Sequence, residues 1–433
     1  MSSITEMQKS VRRAEDAGIF LQERLSRCLS RSNGNESRNT YLWQDAEWSR
    51  SELRRVLERA ADGDALATMP LVGVPVSLKD CFDLAGTRTT LGSRFYAERE
   101  PIAGADSWVA ARLRAMGAVI TGKTHLHALA YGITGENRDY GDCLQPRDAR
   151  LLTGGSSSGA VASVQEGSAL AAIGTDTGGS VRVPAALCGL VGYRSSLGWG
   201  SWQGAGHLAT SFDTIGWLFR ELEDAPLLAQ LFAEHLRGAS EARLERFAFV
   251  APAFLRDCED EVMRSFMQAG EELRSLGMRG EPIDVPWWED AHEVFAPIQA
   301  AEAARIHDGH FAAFEAPIRQ RLEWGASLSA AELAALRERH AEFRARMDAL
   351  LAEQTLVVLP SAPVARLLAG EDHTGVRPRL LRYTAPASLA GMPALAVPYA
   401  AGGMQMLAGR GEDARLLALA TALGGARRAA QKS

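Results

Sequence analysis

Short apolar runs, separated by longer amphipathic stretches, recur along most of this chain. The apolar and β-branched runs predict buried strands at residues 71–78, 118–121, 247–250 and 356–359. Residues Ser107 to Met116 lie between the first two runs, and their apolar side chains share one helical face, which predicts a helix. Strands that alternate with helices in this way favour an α/β layered fold built on one large, buried, mixed sheet.

Two regions are predicted to be mostly helical. Residues 4–61 are polar with helical spacing and predict two helices that pack on a larger body. Residues 221–351 are charge-rich and predict a helical elaboration over the pocket, which ends in a long amphipathic helix at Ala330–Leu351. The tryptophans of this region are predicted to pack in the core: Trp287, Trp288 and Trp324. We expect one domain over all 433 residues, with segments 1–65, 66–220, 221–351 and 352–433 as N-terminal helices, core, elaboration and C-terminal return to the sheet.

Composition narrows the class of protein. Hydrophobic residues make up 46% and charged residues 23% of the chain, which is typical of globular proteins and not of disordered or fibrous ones. The net charge of -6 is spread along the chain, so we expect no nucleic-acid partner. Five dispersed cysteines without a CxxC pair predict neither a disulfide framework nor a zinc knuckle. Since no run of about 18 apolar residues occurs, we expect a cytoplasmic protein with no membrane partner.

The candidate chemistry lies in two glycine- and serine-rich clusters at residues 153–159 and 175–180. Apolar segments flank both clusters, at residues 161–164 and 187–191, which is not typical of a flexible linker. Glycine beside a reactive hydroxyl lets the backbone turn sharply and bring its N–H groups close to a substrate. The two clusters are therefore predicted to form a buried pair of active-site loops.

Three serines compete as the nucleophile. Gly155 to Gly159 fits the G-x-S-x-G pattern of a nucleophile elbow with Ser157 at its centre, but the preceding run at residues 149–152 is short and interrupted by charge. In the second cluster, Gly178 and Gly179 allow consecutive N–H groups to converge beside the Ser180 hydroxyl, as in an oxyanion hole. Ser156 is the third candidate. Residues flanking the second cluster, Asp176 and Arg182, are compatible with an internal ion pair or with an ordinary solvated pair.

Three motifs carry a family resemblance: GVPVSLKD at 73–80, GGSSSG at 154–159 and GTDTGGSVRVPAALCGLVG at 174–192. In order and spacing they resemble the amidase signature family, over roughly residues 71–220 with a second patch at 383–419. The resemblance implies a single mixed sheet with helices on both faces. It also implies a Ser–cis-Ser–Lys triad, with Ser180 as nucleophile, Ser156 as bridging serine after a cis peptide and Lys79 as base. The oxyanion hole implied by the resemblance consists of the N–H groups of Thr177, Gly178, Gly179 and Ser180.

Six further residues complete the predicted site. Gly155, Ser157, Asp176 and Arg182 are expected to support the loops. The segment YGITGEN at 131–137 resembles the stretch that lines the acyl side of the family's pocket, so Tyr131 and Asn137 are predicted binding residues. Ser158 stands where the family usually has glycine, and Trp217 where it has proline, so we expect an unusual pocket rim.

The proposed base needs a particular setting. Lysine accepts a proton only when neutral, so its pKa of about 10.4 must fall by about three pH units, at roughly 4 kcal/mol. The apolar run that ends at Lys79 supplies the desolvation for this change.

The remaining polar motifs are interpreted as structural. His125-x-His127 and His307-x-x-His310 lack a third ligand, so we predict no metal, and we expect no cofactor. Arg377, Arg379 and Arg382 are interpreted as a solvated basic patch on a loop.

We expect a hydrolase that cleaves the carbonyl–nitrogen bond of a small-molecule amide, with carbamates, ureas and aryl esters as related substrates. The alternative within the family is the glutaminase subunit of a tRNA-dependent amidotransferase. Two further alternatives are a catalytically silent binding protein on this fold and an α/β-hydrolase that uses Ser157. The expected partner is the small-molecule substrate, and the sequence leaves a homodimer open.

Overall fold

The computed structural model describes residues 3–14, 16–33, 38–61, 69–240, 243–352 and 355–432. In this part of the chain a mixed sheet of eleven strands forms the centre, and β4 and β5 form a separate two-stranded ribbon. The strands are β1 (Tyr41–Trp43), β2 (Pro75–Lys79), β3 (Val119–Thr124), β4 (Leu144–Gln145), β5 (Asp148–Leu152), β6 (Ala171–Asp176), β7 (Val191–Arg194), β8 (Thr214–Phe219), β9 (Arg246–Val250), β10 (Arg279–Ile283), β11 (Thr355–Pro360), β12 (Ala394–Pro398) and β13 (Gly403–Leu407). Their order across the large sheet is β1-β3-β2-β6-β8-β7-β12-β13-β11-β9-β10.

Helices cover both faces of this sheet, so the predicted α/β fold with one large mixed sheet is confirmed. The helices are α1 (Ile4–Arg13), α2 (Ala17–Asn33), α3 (Ala46–Ala61), α4 (Arg94–Arg99), α5 (Trp108–Ala115), α6 (Ser158–Glu166), α7 (Arg182–Cys188), α8 (Ala225–Ala229), α9 (Ala233–Leu236), α10 (Asp260–Ser275), α11 (Ala291–Ile306), α12 (Ala316–Ser327), α13 (Ala330–Leu350), α14 (Val376–Ala390) and α15 (Asp413–Lys432). Short 3₁₀ turns lie at Ala128–Ala130, Leu222–Asp224, Gln230–Phe232, Pro286–Trp288 and Phe311–Ala313. No described helix is both long enough and apolar enough to cross a lipid bilayer.

The N-terminal region differs from its prediction. In place of two helices, residues 4–61 contain the three helices α1 to α3 and the strand β1, which pairs antiparallel with β3 at one edge of the sheet. The run Tyr41–Trp43 is too short for a periodicity argument, and its pairing with β3 is a long-range contact. The boundary that we expected at residue 65 lies outside the described residues.

The segment 221–351 also differs from a purely helical elaboration. It contributes β9 and β10, which pair in parallel and extend the far edge of the sheet. Helix α13 confirms the long helix predicted near its end, with His340, Phe343 and Met347 on the buried face. Trp288 is fully buried as predicted, whereas Trp324 is 43% exposed, so core packing was the wrong prediction for that residue.

Two parallel strands position the candidate site. β2 and β6 are direct neighbours, with Leu78 opposite Ile173, so their carboxyl ends meet at the same edge of the sheet. Ligand sites of α/β sheets form outside such carboxyl ends. β2 ends at Lys79, and β6 leads into the second glycine-rich cluster.

Helix α6 begins at Ser158, within the end of the first cluster, and its packing leaves no space for a side chain at Gly159. A Cβ there would overlap the Thr40 carbonyl oxygen and the His125 amide nitrogen, both of which are backbone atoms that cannot rotate away. We therefore expect Gly159→Ala to lower the free energy of unfolding by about 1–3 kcal/mol, because overpacking outweighs the gain in helix propensity.

The measurement is the denaturant midpoint of the purified variant. Gly104→Ala is the matched control, because its Cβ would meet no atom within 4 Å and should leave the midpoint unchanged. Equal midpoints for the two variants would contradict the packing at α6.

Candidate active site

Lys79 is a fully buried amine surrounded by hydroxyl groups. Its Nζ lies 2.8 Å from Ser156 Oγ, 3.2 Å from Ser157 Oγ and 2.7 Å from Thr175 Oγ1. All five residues of β2 are buried, so the ammonium has lost its hydration. This burial lowers the pKa of Lys79 to about 8 and outweighs the opposing influence of Cys81 and of the carboxylates of Asp176 and Asp213. Near neutral pH, a fraction of the lysine is neutral and can accept a proton.

The first cluster holds Ser156 directly against this lysine. The peptide between Gly155 and Ser156 is cis. The Gly155 N–H donates to the Ile133 carbonyl oxygen at 2.8 Å, and the His127 N–H donates to the Ser156 carbonyl oxygen at 3.2 Å. The backbone on both sides of Ser156 is therefore held by neighbouring loops.

Ser157 links the two clusters through hydrogen bonds to the backbone of the second one. Its N–H donates to the Ser180 carbonyl oxygen at 3.2 Å, and its Oγ contacts the Thr175 backbone, donating to the carbonyl oxygen at 3.3 Å. The side chain is fully buried. The strand before it, β5, belongs to the two-stranded ribbon and not to the large sheet, unlike the strand that a nucleophile elbow requires.

Ser180 lies beside a narrow cavity, with 5% of its surface exposed. The cavity is lined by Ala130, Tyr131, Gly132, Ile133, Gly178, Ser180, Leu208, Gln299, Arg377 and Leu381. Among the three competing serines, Ser180 is the one that lines this cavity. Ser180 is therefore the candidate nucleophile that borders this cavity.

The loop before Ser180 differs in one detail from the four-donor oxyanion hole that the resemblance implied. The Gly179 N–H donates to Asp176 Oδ1 at 2.8 Å and is thus already occupied. The N–H groups of Thr177, Gly178 and Ser180 remain as candidate donors. Gly179 has φ +121° and lies against Thr384, so neither its backbone conformation nor its surroundings accept a side chain.

Asp176 holds this loop in place through an internal ion pair, which was one of the two interpretations open from the sequence. Arg182 contacts its carboxylate through Nε at 3.0 Å and Nη2 at 2.9 Å, and Arg194 through Nη1 at 3.0 Å. The three side chains are fully buried. Burial raises the pKa of Asp176, but the two guanidinium groups outweigh this effect and hold it below its usual value.

The two predicted binding residues have different environments. Tyr131 lines the cavity, and its ring lies under the guanidinium groups of Arg321 at 4.6 Å and Arg377 at 5.7 Å. Asn137 is buried elsewhere: its Nδ2 donates to the Gly92 and Leu126 carbonyl oxygens, both at 2.9 Å. Its amide therefore joins loops, and the structure does not bring it into the cavity of Ser180.

Several residues of the site were not found from the sequence. Thr175 contacts Lys79 from β6, and Arg194 reaches Asp176 from β7. Arg377 was interpreted as part of a solvated loop, which is wrong, because it lies in the first turn of α14 and lines the cavity. A predicted helix that starts before Tyr383 would have placed Arg377 correctly. The prolines at 378 and 386 argued against such a helix.

One histidine of each pair, His125 and His307, forms hydrogen bonds to nearby protein groups. His125 Nε2 donates to the Gly141 carbonyl oxygen at 2.9 Å, and burial lowers its pKa to about 4, so Nδ1 accepts from the Ser158 hydroxyl. Ser158, which departs from the family pattern, thus has a buried partner. His307 Nδ1 lies 2.7 Å from the Tyr96 hydroxyl. The described residues contain no group of three His, Cys, Asp or Glu that could hold a metal ion.

Known proteins are similar to this chain over almost its whole length. The family model for amidases matches residues 23–417. One glutamyl-tRNA(Gln) amidotransferase subunit, from Prochlorococcus marinus (strain MIT 9313), is 31% identical, over 88% of this chain and 89% of that protein. The protein of the same name from Syntrophus aciditrophicus (strain SB) is 29% identical, over 89% and 90%. A solved crystal structure of an amidase is 30% identical and has a TM-score of 0.87, over 98% and 99% of the two chains.

The role of Asp176 can be tested by its removal. Asp176→Asn leaves two buried guanidinium groups without a carboxylate, so we expect the free energy of unfolding to fall by about 3–5 kcal/mol. Denaturant unfolding checks this change.

Asp148→Asn is the control, since it removes a carboxylate whose ion pair with Arg150 is exposed and should leave the midpoint unchanged. A midpoint for Asp176→Asn equal to that of the wild type would mean that the loop does not depend on this carboxylate.

Proposed function

This chain belongs to the amidase signature family, and from that premise we propose that it hydrolyses the carbonyl–nitrogen bond of a small-molecule amide through an acyl-enzyme on Ser180. The observation that carries the proposal is the position of Lys79. It is a buried amine with a lowered pKa, in direct contact with the Ser156 hydroxyl. The strand beside it, β6, leads into the loop that carries Ser180. A serine at its ordinary pKa is a weak nucleophile, and an adjacent base of this kind activates it.

In the proposed acylation, the Ser180 hydroxyl transfers its proton to Ser156 Oγ, and Ser156 transfers its own proton to the neutral Lys79 amine. The Ser180 oxygen forms a bond to the substrate carbonyl carbon. The resulting oxyanion is stabilised by backbone N–H groups of the loop 177–180. The protons then return through Ser156 to the departing amine as the carbon–nitrogen bond breaks.

In the proposed deacylation, water replaces the amine in the cavity. The same relay removes a proton from the water, which attacks the acyl carbon. The bond to Ser180 breaks, Ser180 regains a proton, and the acid leaves. Since carbamates, ureas and aryl esters form the same kind of acyl-enzyme, they remain related substrates of this mechanism.

The second candidate function is the glutaminase subunit of a tRNA-dependent amidotransferase. It is favoured by the names of the two curated relatives above, each about 30% identical to this chain. The amidase structure with 30% identity favours the first candidate. Ammonia release from glutamine by the isolated chain, compared with hydrolysis of generic small amides, distinguishes the two functions.

For the cellular setting we propose the cytoplasm, because the five cysteines are free thiols. We also retain the expectation of a single domain.

The nucleophile is tested by labelling with a fluorophosphonate and mapping the adduct by mass spectrometry. We expect the adduct on Ser180 in the wild type, its absence in Ser180→Ala, and a labelling rate on the order of 10²–10⁴-fold lower in Lys79→Ala, which lacks the base.

Ser157→Ala is the control and should retain the adduct on Ser180, since Ser157 does not line the cavity. An adduct on Ser157 would support the elbow mechanism. No adduct at all in the wild type would support a catalytically silent protein.

The pH dependence follows from the lowered pKa of Lys79. The relay needs the neutral amine, so below about pH 8 the reactive fraction falls tenfold for each pH unit. We expect kcat/KM to rise with slope one at acidic pH and to level off above about pH 8. A rate profile from about pH 5.5 to about pH 9.5 checks this. A plateau that already begins near pH 6 would contradict the role of Lys79 as base.

A further inference from the structure

Two arginines converge on one tyrosine ring at the cavity of Ser180. Arg321 from α12 and Arg377 from α14 lie over the ring of Tyr131, at 4.6 Å and 5.7 Å from its centre. Both residues are half-buried. Burial lowers the pKa of Arg377, and the neighbouring positive charge of Arg321 lowers it further. Two cations are thus held close together in a poorly solvated place.

Neither arginine has a carboxylate that neutralises it in the part of the chain that the structure describes. Arg377 Nη2 donates to the neutral amide oxygen of Gln299 at 3.0 Å. Arg321 Nη2 donates to the Tyr131 carbonyl oxygen at 2.5 Å, and its Nε is buried without a hydrogen-bond partner. Glu315 attracts the Arg321 charge but forms no ion pair with it. An unpaired buried charge is costly, so such a pair is suited to an anionic ligand.

The nearby acids are already engaged by other groups. Glu136 accepts from the Thr134 hydroxyl at 2.6 Å, Glu315 lies 3.5 Å from His127, and Asp372 accepts from Thr374. These acids line an outer cavity of about 410 Å³ that opens beyond the nucleophile. None of these carboxylates forms an ion pair with Arg377; its hydrogen bond goes to Gln299.

Arg377 stands between the two cavities. It lines both the narrow cavity of Ser180 and the outer cavity, together with Gly132 and Ile133. A substrate that extends from Ser180 into the outer cavity lies against this guanidinium. The planar fork of arginine matches a carboxylate, which accepts two parallel N–H groups.

We infer that Arg377, supported by Arg321, binds a carboxylate of the substrate, so that this enzyme selects amides that carry a carboxylate on the side of the scissile carbonyl. The inference rests on the proposed function and specifies its substrate class. In this arrangement Gln299 and Tyr131 orient Arg377, and the substrate carboxylate supplies the direct ion-pair partner that this guanidinium lacks.

The experiment compares charged and neutral ligands of equal shape. Monoamides of linear dicarboxylic acids with three to six carbons are matched with the corresponding neutral diamides. Each compound is tested for protection of Ser180 against the neutral fluorophosphonate, and for kcat/KM where turnover occurs. In the wild type we expect at least one monoamide to be favoured over its diamide by on the order of tenfold or more.

The variants separate charge recognition from structural support. Arg377→Met should reduce the preference to about twofold or less, and Arg377→Lys should retain part of it because the charge remains. The preference is a ratio measured within one protein, so a lower folded fraction does not change it. Arg379→Gln is the matched control: this arginine lies in the same helix, is 43% exposed and contacts Asp257, and the variant should keep the wild-type preference.

Two outcomes overturn the inference in distinguishable ways. If Ser180 is labelled but monoamides and diamides protect equally, or if Arg377→Met keeps the preference, Arg377 does not bind a substrate carboxylate. If Ser180 is not labelled in the wild type, the proposed function itself fails, and the inference fails with it.

Discussion

The candidate site depends on one buried carboxylate, that of Asp176. It receives two guanidinium groups and the N–H of Gly179, and thereby joins the end of β6 to α7, β7 and the loop of Ser180. Arg182 extends the same network to Gln405 and Ser388. Because the carboxylate and both arginines are fully buried, each charge needs its partners, and the geometry around Ser180 has few alternatives.

Lys79 lies at the adjacent strand end in the opposite situation. Its contacts are hydroxyl groups and not a carboxylate, so burial acts on its charge without local compensation. The same loss of hydration therefore has two results. Asp176 stays ionised because arginines surround it, whereas Lys79 loses its proton more easily and becomes suited to act as a base. The partners of each buried group therefore decide whether it keeps its charge.

The part of the cavity beyond Ser180 is built by the C-terminal half of the chain. Gln299 comes from α11, Arg321 from α12 and Arg377 from α14. Both arginines contact Tyr131, and Gln299 accepts a hydrogen bond from Arg377. The strand ends thus carry the proposed reaction chemistry, and the helices carry the proposed substrate-binding residues. Proteins with the same sheet and loops can differ in substrate through these helices alone.

The sequence by itself determined the fold class and the presence of the strands β3, β9 and β11, predicted at 118–121, 247–250 and 356–359. It also indicated the two loops with their serines. Each of these features depends on local patterns of apolar residues and glycine. The third N-terminal helix, the strand β1 and the placement of β9 and β10 in the sheet were decided by tertiary pairing. The same holds for Thr175, Arg194 and Arg377, whose partners lie far away in the chain. The sequence around a charged side chain does not show whether that side chain faces solvent or a buried partner. The packing of elements that are distant in the chain decides which of these environments it has.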